Sequence, residues 1–365
     1  MLKLETVICE LNPIHNGHAY VISRAKADSD VCAAVLSGNF VQRGEPAVFD
    51  KYARAHAALL AGADLVVELP FPWCASGAES FALGGVMTAS GIRSHGLTFG
   101  SESGRMDYIE RIADIKSSPE YTTAVTAIEA DARNSGSAAV FDQTLRQFGL
   151  TEMPGANDKL GAEYVRFSRD AGMTCTAVGR LTEMKSATNL RAMAFADCAP
   201  FMPPEAFERL KTETRCDYGK YAELLFQHAR LYFRETEHPV LRIAAKKARE
   251  TTDAQEFLTT IATKKYTAAR MRRELLFSMT GVRPEWLKRK PPYTILLAAN
   301  ERGRRYLAEN RKFFDFPILT KPSDYSAPDA ESAEIRQCHA FADEVYCLIN
   351  GRPADTFMKR HPVMV

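Results

Sequence analysis

The sequence predicts an α/β protein, with a doubly wound parallel sheet in the N-terminal half and a mainly helical C-terminal half. Three observations lead there. Short β-branched runs, apolar on both faces, alternate with helical patterns through residue 195. From about residue 200 the strand signals stop and apolar residues recur at helical spacing. The proline-bearing stretch CAPFMPPE (198–205) stands between the two patterns. The expected domains are therefore 1–197 and 198–365.

The elements follow in order. TVICEL (6–11) is the first expected strand, and the pattern AYVISRAKA (19–27) makes a helix after it. VCAAVLSGN (31–39) is the second strand. DKYARAHAALLAG (50–62) has helical apolar spacing and a glycine stop. ADLVVELP (63–70) and SHGLTFGSE (94–102) are strands three and four, a long helical region covers about 105–150, and MTCTAVGR (173–180) is strand five. Helical patterns then occupy 204–213, 219–235, 239–250, 253–263, 266–279 and 327–349. No internal repeat or low-complexity tract interrupts them.

Composition bounds the function classes. The chain has 365 residues, of which 46% are hydrophobic and 25% charged, enough for a sizeable core. No apolar run approaches the ~18 residues of a membrane span, and the N-terminus reads as a strand rather than a signal peptide. Eight cysteines, with no CxxC pair, read as buried free thiols of a cytoplasmic protein. The net charge of +2 hides an asymmetry. Between Leu241 and Lys312 there are eighteen Lys/Arg against seven Asp/Glu. That excess predicts a polyanion partner for this segment or, on the plainer view, a set of solvated helix faces.

The motif that carries most chemistry is HNGH (15–18), placed where the first strand ends and a helix begins. Backbone N–H groups at a helix start bind anions, and a glycine lets a ligand approach the main chain. His15 and His18 can add hydrogen bonds to phosphate oxygens. The pair is three residues apart, but the further ligands a metal needs are missing, so no metal site is expected. A second polar turn, KSATNLR (185–191), follows strand five, with Ser186 as a natural helix cap. Gln42 and Arg43, after strand two, are candidates for gripping a carboxylate or a base edge. Glu68 receives no role, and Cys9 and Cys74 are read as packing.

NPIHNGH and the later serine turn resemble the HxGH nucleotidyltransferases related to class I aminoacyl-tRNA synthetases. SGNFVQRGEPAVFDKYARAHAALLAGADLVVELP (37–70), FGSES (99–103), ANDKLGAEYV (156–165) and KKYTAARMRR (264–273) resemble, more narrowly, the tRNA(Met) cytidine acetate ligase family. The resemblance covers most of 1–195 and patches of 260–310. It implies a Rossmann-like (HUP-type) sheet that holds ATP, with Mg²⁺ carried by the triphosphate. The implied ATP contacts are Val7, Ile8, Cys9, Glu10, Leu11, Asn12, Pro13, Ile14, His15, Asn16, Gly17, His18, Ala19 and Tyr20, then Gly100, Asn157, Arg180, Ser186 and Thr188. His15, His18 and Ser186 are the implied catalytic groups, with Arg191 or Lys185 adding charge. Family members carry a longer glycine- and histidine-containing insert where this chain has only LTEMK (181–185).

The implied reaction joins acetate to AMP with release of pyrophosphate, then passes the acetyl group to N4 of a cytidine in a tRNA, an elongator tRNA-Met. Positioning and charge stabilisation suffice for the first step. The second needs a base splayed from its loop. Lys264, Lys265, Arg270, Arg272 and Arg273 are expected on RNA phosphates, and Tyr266 on a base. Membrane and DNA are not expected partners. Two other readings stay open: a small-molecule adenylyltransferase making a dinucleotide cofactor, and a non-catalytic RNA-binding protein with ATP as a structural ligand.

Overall fold

A computed structural model describes residues 2–131, 136–180, 185–233 and 236–365. Most of LTEMK (181–185), where the chain departs from the family pattern, thus lies outside the described residues. The N-terminal part runs β1 (Leu4–Cys9), α1 (Asn16–Ala27), β2 (Val31–Ser37), a two-residue hairpin of β3 (Phe40–Val41) and β4 (Glu45–Pro46), α2 (Lys51–Leu60), β5 (Leu65–Leu69), α3 (Ala78–Gly91) and β6 (Gly96–Ser101). Next come α4 (Met106–Ser117), α5 (Pro119–Asp131), α6 (Ser137–Gln147), α7 (Ala156–Asp170), β7 (Thr174–Gly179) and the six-residue α8 (Ala187–Ala192).

The sheet order is β10-β8-β5-β2-β1-β6-β7. From β5 to β7 all pairs are parallel, and the chain reverses direction across the sheet between β1 and β6. This is the doubly wound arrangement, and its switch point lies beside the end of β1. Strands β1, β2 and β5 are buried along their whole length, because helices cover both faces. The alternating, doubly apolar runs of the sequence therefore became strands.

The C-terminal part runs α9 (Pro204–Lys211), α10 (Tyr218–Tyr232), α11 (Pro239–Glu250), α12 (Ala254–Thr260) and α13 (Ala268–Thr280), as the periodicity predicts. It then departs from expectation. Thr294–Ala299 forms β8, antiparallel to β5 inside the main sheet. After α14 (Glu301–Asn310), β9 (Ile318–Leu319) pairs with β8; after α15 (Ala330–Ile349), β10 (Val363–Met364) pairs with β8 too. The reading that strand signals stop near residue 200 is thus corrected. TILLAA is a short apolar run whose period cannot separate a buried strand from a buried helix turn. The region read as 198–365 contributes to the same sheet as 1–197.

Among the described residues no helix is long and apolar enough to cross a membrane. All eight cysteines are free thiols, and seven of them are buried.

Candidate active site

A cleft of about 500 Å³ opens at the carboxyl ends of β1, β6 and β7. The HNGH turn forms its floor. His15 is the N-cap of α1, three residues earlier than the sequence pattern suggested. The cap is reciprocal: His18 N–H donates to His15 Nδ1 at 3.3 Å, and His15 N–H donates to His18 Nδ1 at 3.2 Å. The two rings stack with centroids 3.7 Å apart.

This geometry fixes the tautomers. Each Nδ1 accepts a backbone N–H, so in the neutral ring the proton sits on Nε2. Burial pushes the His15 imidazole down to about 4, with the Arg180 guanidinium acting in the same direction. Burial, and then His15, hold His18 well below its usual range. Both rings are neutral at pH 7 and offer one Nε2–H donor each. They stand at a helix N-terminus whose own N–H groups attract anions.

The opposite wall comes from β6, α7 and β7. A Cβ at Gly100, near the end of β6, would meet only the Val21 side chain, at 3.6 Å, so the backbone there is open to the cleft. α7 starts without a side-chain cap of its own at Gly155. The Glu102 carboxylate supplies it, accepting Asn157 N–H and Asp158 N–H at 3.0 Å. In return the Asp158 carboxylate accepts from the Ser101 hydroxyl and from the amides of Glu102 and Ser103. This exchange seats Asn157 on the cleft wall. Arg180 is tied by its N–H to Ser101 O at 3.0 Å, and its guanidinium has no partner among the described residues.

The serine turn closes a third side. Ser186 and Asn189 cap each other at the start of α8, and Ser186 and Thr188 line the cleft. Arg191 donates to Asn12 O at 2.6 Å and to Thr188 Oγ1 at 3.2 Å, which joins this late turn to the end of β1. Of the two cations expected to add charge here, Arg191 is thus partly committed to positioning, and the Lys185 ammonium lies 5.0 Å over the Phe201 ring.

Arg54 supports the cleft from beneath. It is fully buried and donates to three backbone carbonyls: Phe49 O at 2.9 Å, Glu10 O at 2.6 Å, and Gly38 O. One guanidinium so fixes the loops leaving β1 and β2. Glu10 lies above it, its carboxyl raised by burial against the pull of the Gln42 amide and of Arg191, Arg54 and Arg43.

Most of the predicted contacts meet at this cleft: Val7, Ile8, Cys9, Glu10, Leu11, His15, Gly17, His18, Tyr20, Gly100, Asn157, Arg180, Ser186 and Thr188 all line it. Asn12, Pro13, Ile14, Asn16 and Ala19 do not. Asn12 Oδ1 is used inside the fold, accepting Val48 N–H at 2.7 Å, Asn16 reaches Pro200 O at 3.2 Å, and Ile14 is buried. The Cys9 thiol is pushed by burial up to about 12, and burial also raises Cys74, so neither is a nucleophile. The lining also holds Phe81, Phe99, Leu160 and Tyr164, an apolar wall that sequence reading missed. The signal for Leu160 and Tyr164 was the helical spacing of ANDKLGAEYVRFSRD, which becomes α7.

The basic stretch divides in two. Lys264, Lys265 and Arg270 are exposed. Arg272 pairs with Glu45 at 2.7 Å and is 14% exposed, while Arg273 donates to Gln42 O at 3.1 Å. Tyr266, expected on a base, is buried, with Arg270 stacked 4.9 Å over its ring. Its ring is core, and the reading of Tyr266 as a stacking platform is corrected.

A profile for the HIGH nucleotidyl transferase family matches residues 2–360. A tRNA(Met) cytidine acetate ligase from Levilactobacillus brevis is 31% identical over 349 residues, covering 88% of this chain and 89% of the relative. The chain belongs to the HIGH nucleotidyl transferase family, among the tRNA(Met) cytidine acetate ligases. A ligase of this family from Bacillus velezensis is 29% identical and covers 98% of this chain and 95% of the relative. The crystal structure of Thermotoga maritima TmcAL bound with alpha-thio ATP superposes with a TM-score of 0.87 at 27% identity, over 99% of both chains. A family of nucleotidyl transferases accounts for the cleft's chemistry: neutral donors, a helix N-terminus and a guanidinium without a partner among the described residues, around a space that suits a triphosphate.

Proposed function

We propose that this protein activates acetate with ATP and transfers the acetyl group to N4 of a cytidine in tRNA(Met). The observation that carries this reading is the convergence of HNGH, Asn157, Arg180 and the Ser186 turn on one cleft at the switch point. The ligase relatives and the ATP-analogue complex of the Thermotoga maritima protein support the substrates.

In the first step an acetate oxygen attacks the α-phosphorus of ATP, forming the acyl–phosphate bond as pyrophosphate leaves. No proton is transferred, so catalysis is positioning and stabilisation of phosphate charge. The Nε2–H donors of His15 and His18, the α1 amides and Arg180 do this, with Ser186 and Thr188 at the far end of the triphosphate. ATP arrives as its magnesium complex: the carboxylates at or near the cleft, Glu10, Glu102 and Asp158, already accept from backbone amides. In the second step the cytidine N4 amine attacks the acetyl carbonyl, AMP leaves, and the nitrogen loses a proton. The base must be unstacked to enter. Lys264, Lys265 and Arg270 are the phosphate-contacting candidates. A tRNA substrate and eight unpaired cysteines support a cytoplasmic location.

The test is transfer of radiolabelled acetate to bulk tRNA with and without ATP. ATP-dependent label in cytidine is expected. Pyrophosphate release that ignores acetate and requires a small nucleotide acceptor would overturn the reading in favour of a cofactor-forming adenylyltransferase. Binding of tRNA without ATP turnover would overturn it in favour of an RNA-binding protein.

A further inference from the structure

The turn Gln42–Gly44, between β3 and β4, gives the cleft a polar edge that the expected ATP contacts do not include. Gln42 and Arg43 line the cleft. The Arg43 side chain is exposed, and its guanidinium has no hydrogen-bond or ion-pair partner among the described residues. The turn touches the sheet side at one point, where Gln42 N–H donates to Glu10 Oε1 at 2.8 Å.

The hairpin closes on itself through Gly44 N–H to Val41 O at 2.8 Å, and the side chains that hold its outer face come from the helical region. Its three successive carbonyls are each taken by a side chain from there. Arg273 Nη1 donates to Gln42 O at 3.1 Å, Arg272 Nε to Arg43 O at 3.4 Å, and the Tyr221 hydroxyl to Gly44 O at 2.6 Å. Arg272 also pairs with Glu45 at 2.7 Å. The packing is close. Gly44 has φ +66°, and a Cβ there would stand 2.7 Å from the Arg273 backbone nitrogen. Arg273 has no carboxylate within ion-pair distance among the described residues, so its half-buried charge is spent on a backbone carbonyl. A solvated basic face would leave these guanidiniums in water.

We propose that Arg272 and Arg273 are positioning residues that hold the Gln42–Gly44 turn against Glu10, so that Arg43 receives the small carboxylate substrate. The proposal rests on the reading that this cleft activates acetate. A carboxylate seeks a guanidinium with donors to spare, and two that have no partner among the described residues line the cleft. Arg180 stands among the ATP-facing groups near His15. Arg43 stands on the turn beside Glu10. Its backbone is fixed by α13, so the arginine pair acts on acetate through Arg43.

The experiment compares wild type, R272A/R273A, R272K/R273K and the charge control K246A, whose side chain is 78% exposed on α11. Acetate-dependent pyrophosphate release gives the acetate KM, calorimetry gives ATP affinity, and mass spectrometry follows tryptic cleavage after Arg43. The alanine pair should raise the acetate KM by about tenfold or more, the factor a charge-assisted hydrogen bond carries. ATP affinity should stay within about twofold, and cleavage after Arg43 should quicken by a similar factor of about ten. The lysine pair should recover part of both losses, and K246A should match wild type.

Should the alanine pair fail to fold, G44A displaces the turn with both guanidiniums intact and should give the same acetate defect. Unchanged acetate KM and cleavage in a folded variant would overturn the proposal, as would an equal loss of ATP affinity. A wild-type protein without acetate-dependent pyrophosphate release would overturn the reading of the cleft instead, and the cleavage rates would then still decide whether α13 holds the turn.

Discussion

Two groups of ionisable side chains sit at the carboxyl ends of strands in the same sheet. One is the HNGH turn after β1. The other is Lys51, Glu68, His339 and Asp343, at the end of β5 and beneath α15. The second group looks more like a site at first sight. Its Glu, His and Asp atoms lie within 4.8 Å of one another, a spacing that suits a metal ion. Yet every member is buried and already paired. The Lys51 ammonium lies 2.9 Å from Glu68 and 2.7 Å from Asp343 and is itself the cation of the cluster. His339 bridges Glu68 at 3.0 Å and the Tyr293 hydroxyl at 2.8 Å, and Asn39 donates to Asp343 at 2.8 Å. The HNGH turn is poorer in charge but leaves donors free at a cleft. A density of titratable groups therefore does not mark function here. Donors without partners do.

The difference can be broken from the buried side first. Lys51→Ala leaves two carboxylates in the core without their cation, a change worth about 3–5 kcal/mol of stability, measurable by denaturant unfolding. The pH dependence sharpens it. Burial would raise the Glu68 carboxyl, but Lys51 and His339 outweigh it and bring it to about 2. A depressed carboxylate stabilises the fold above its unfolded value of about 4.3, and that stability is lost as pH falls through 2. Wild type should lose stability over this window, and Lys51→Ala should lose less.

On the open side, His18→Ala should cost on the order of 10²–10³ in adenylate formation, with tRNA affinity close to wild type and stability lower by only about 1 kcal/mol for the lost cap. Pyrophosphate release and filter binding check this pair. The imidazoles also set a pH signature. Their folded values lie below the unfolded value of about 6.5, so the unfolded chain binds more protons between 6.5 and about 4. Stability should fall as pH drops through that range. His15→Gln should flatten the fall, as followed by thermal unfolding from pH 4 to 7.

The smallest effect concerns the basic stretch. Lys264, Lys265 and Arg270 replaced together by Ala should flatten the salt dependence of tRNA binding by up to about 2–3 log units per log unit of salt. The unfolding free energy should move by less than about 0.5 kcal/mol. A binding curve across a salt series reads the first, and urea unfolding the second. Adding Arg272 and Arg273 would confuse the two, since they hold the turn beside the cleft.

Local sequence determined the strand–HNGH–helix unit and the doubly wound class of the sheet around it, and the stretches that resemble a known family pointed to most cleft residues. Those features are written in consecutive residues. An apolar run, a capping histidine and a glycine turn fold by rules that act within a few positions. What the tertiary structure decided lies at long sequence separation. TILLAA became a sheet strand only because β5 offered it a free edge. Tyr266 and Arg272 were equivalent to Lys264 as letters, yet one packs in the core and the other pairs with Glu45, more than two hundred residues away. Glu68 meets His339 and Asp343 across a similar distance. Burial and pairing depend on which distant side chain fills the adjacent space. No periodicity records that, so the roles of these charges became legible only when the chain was packed.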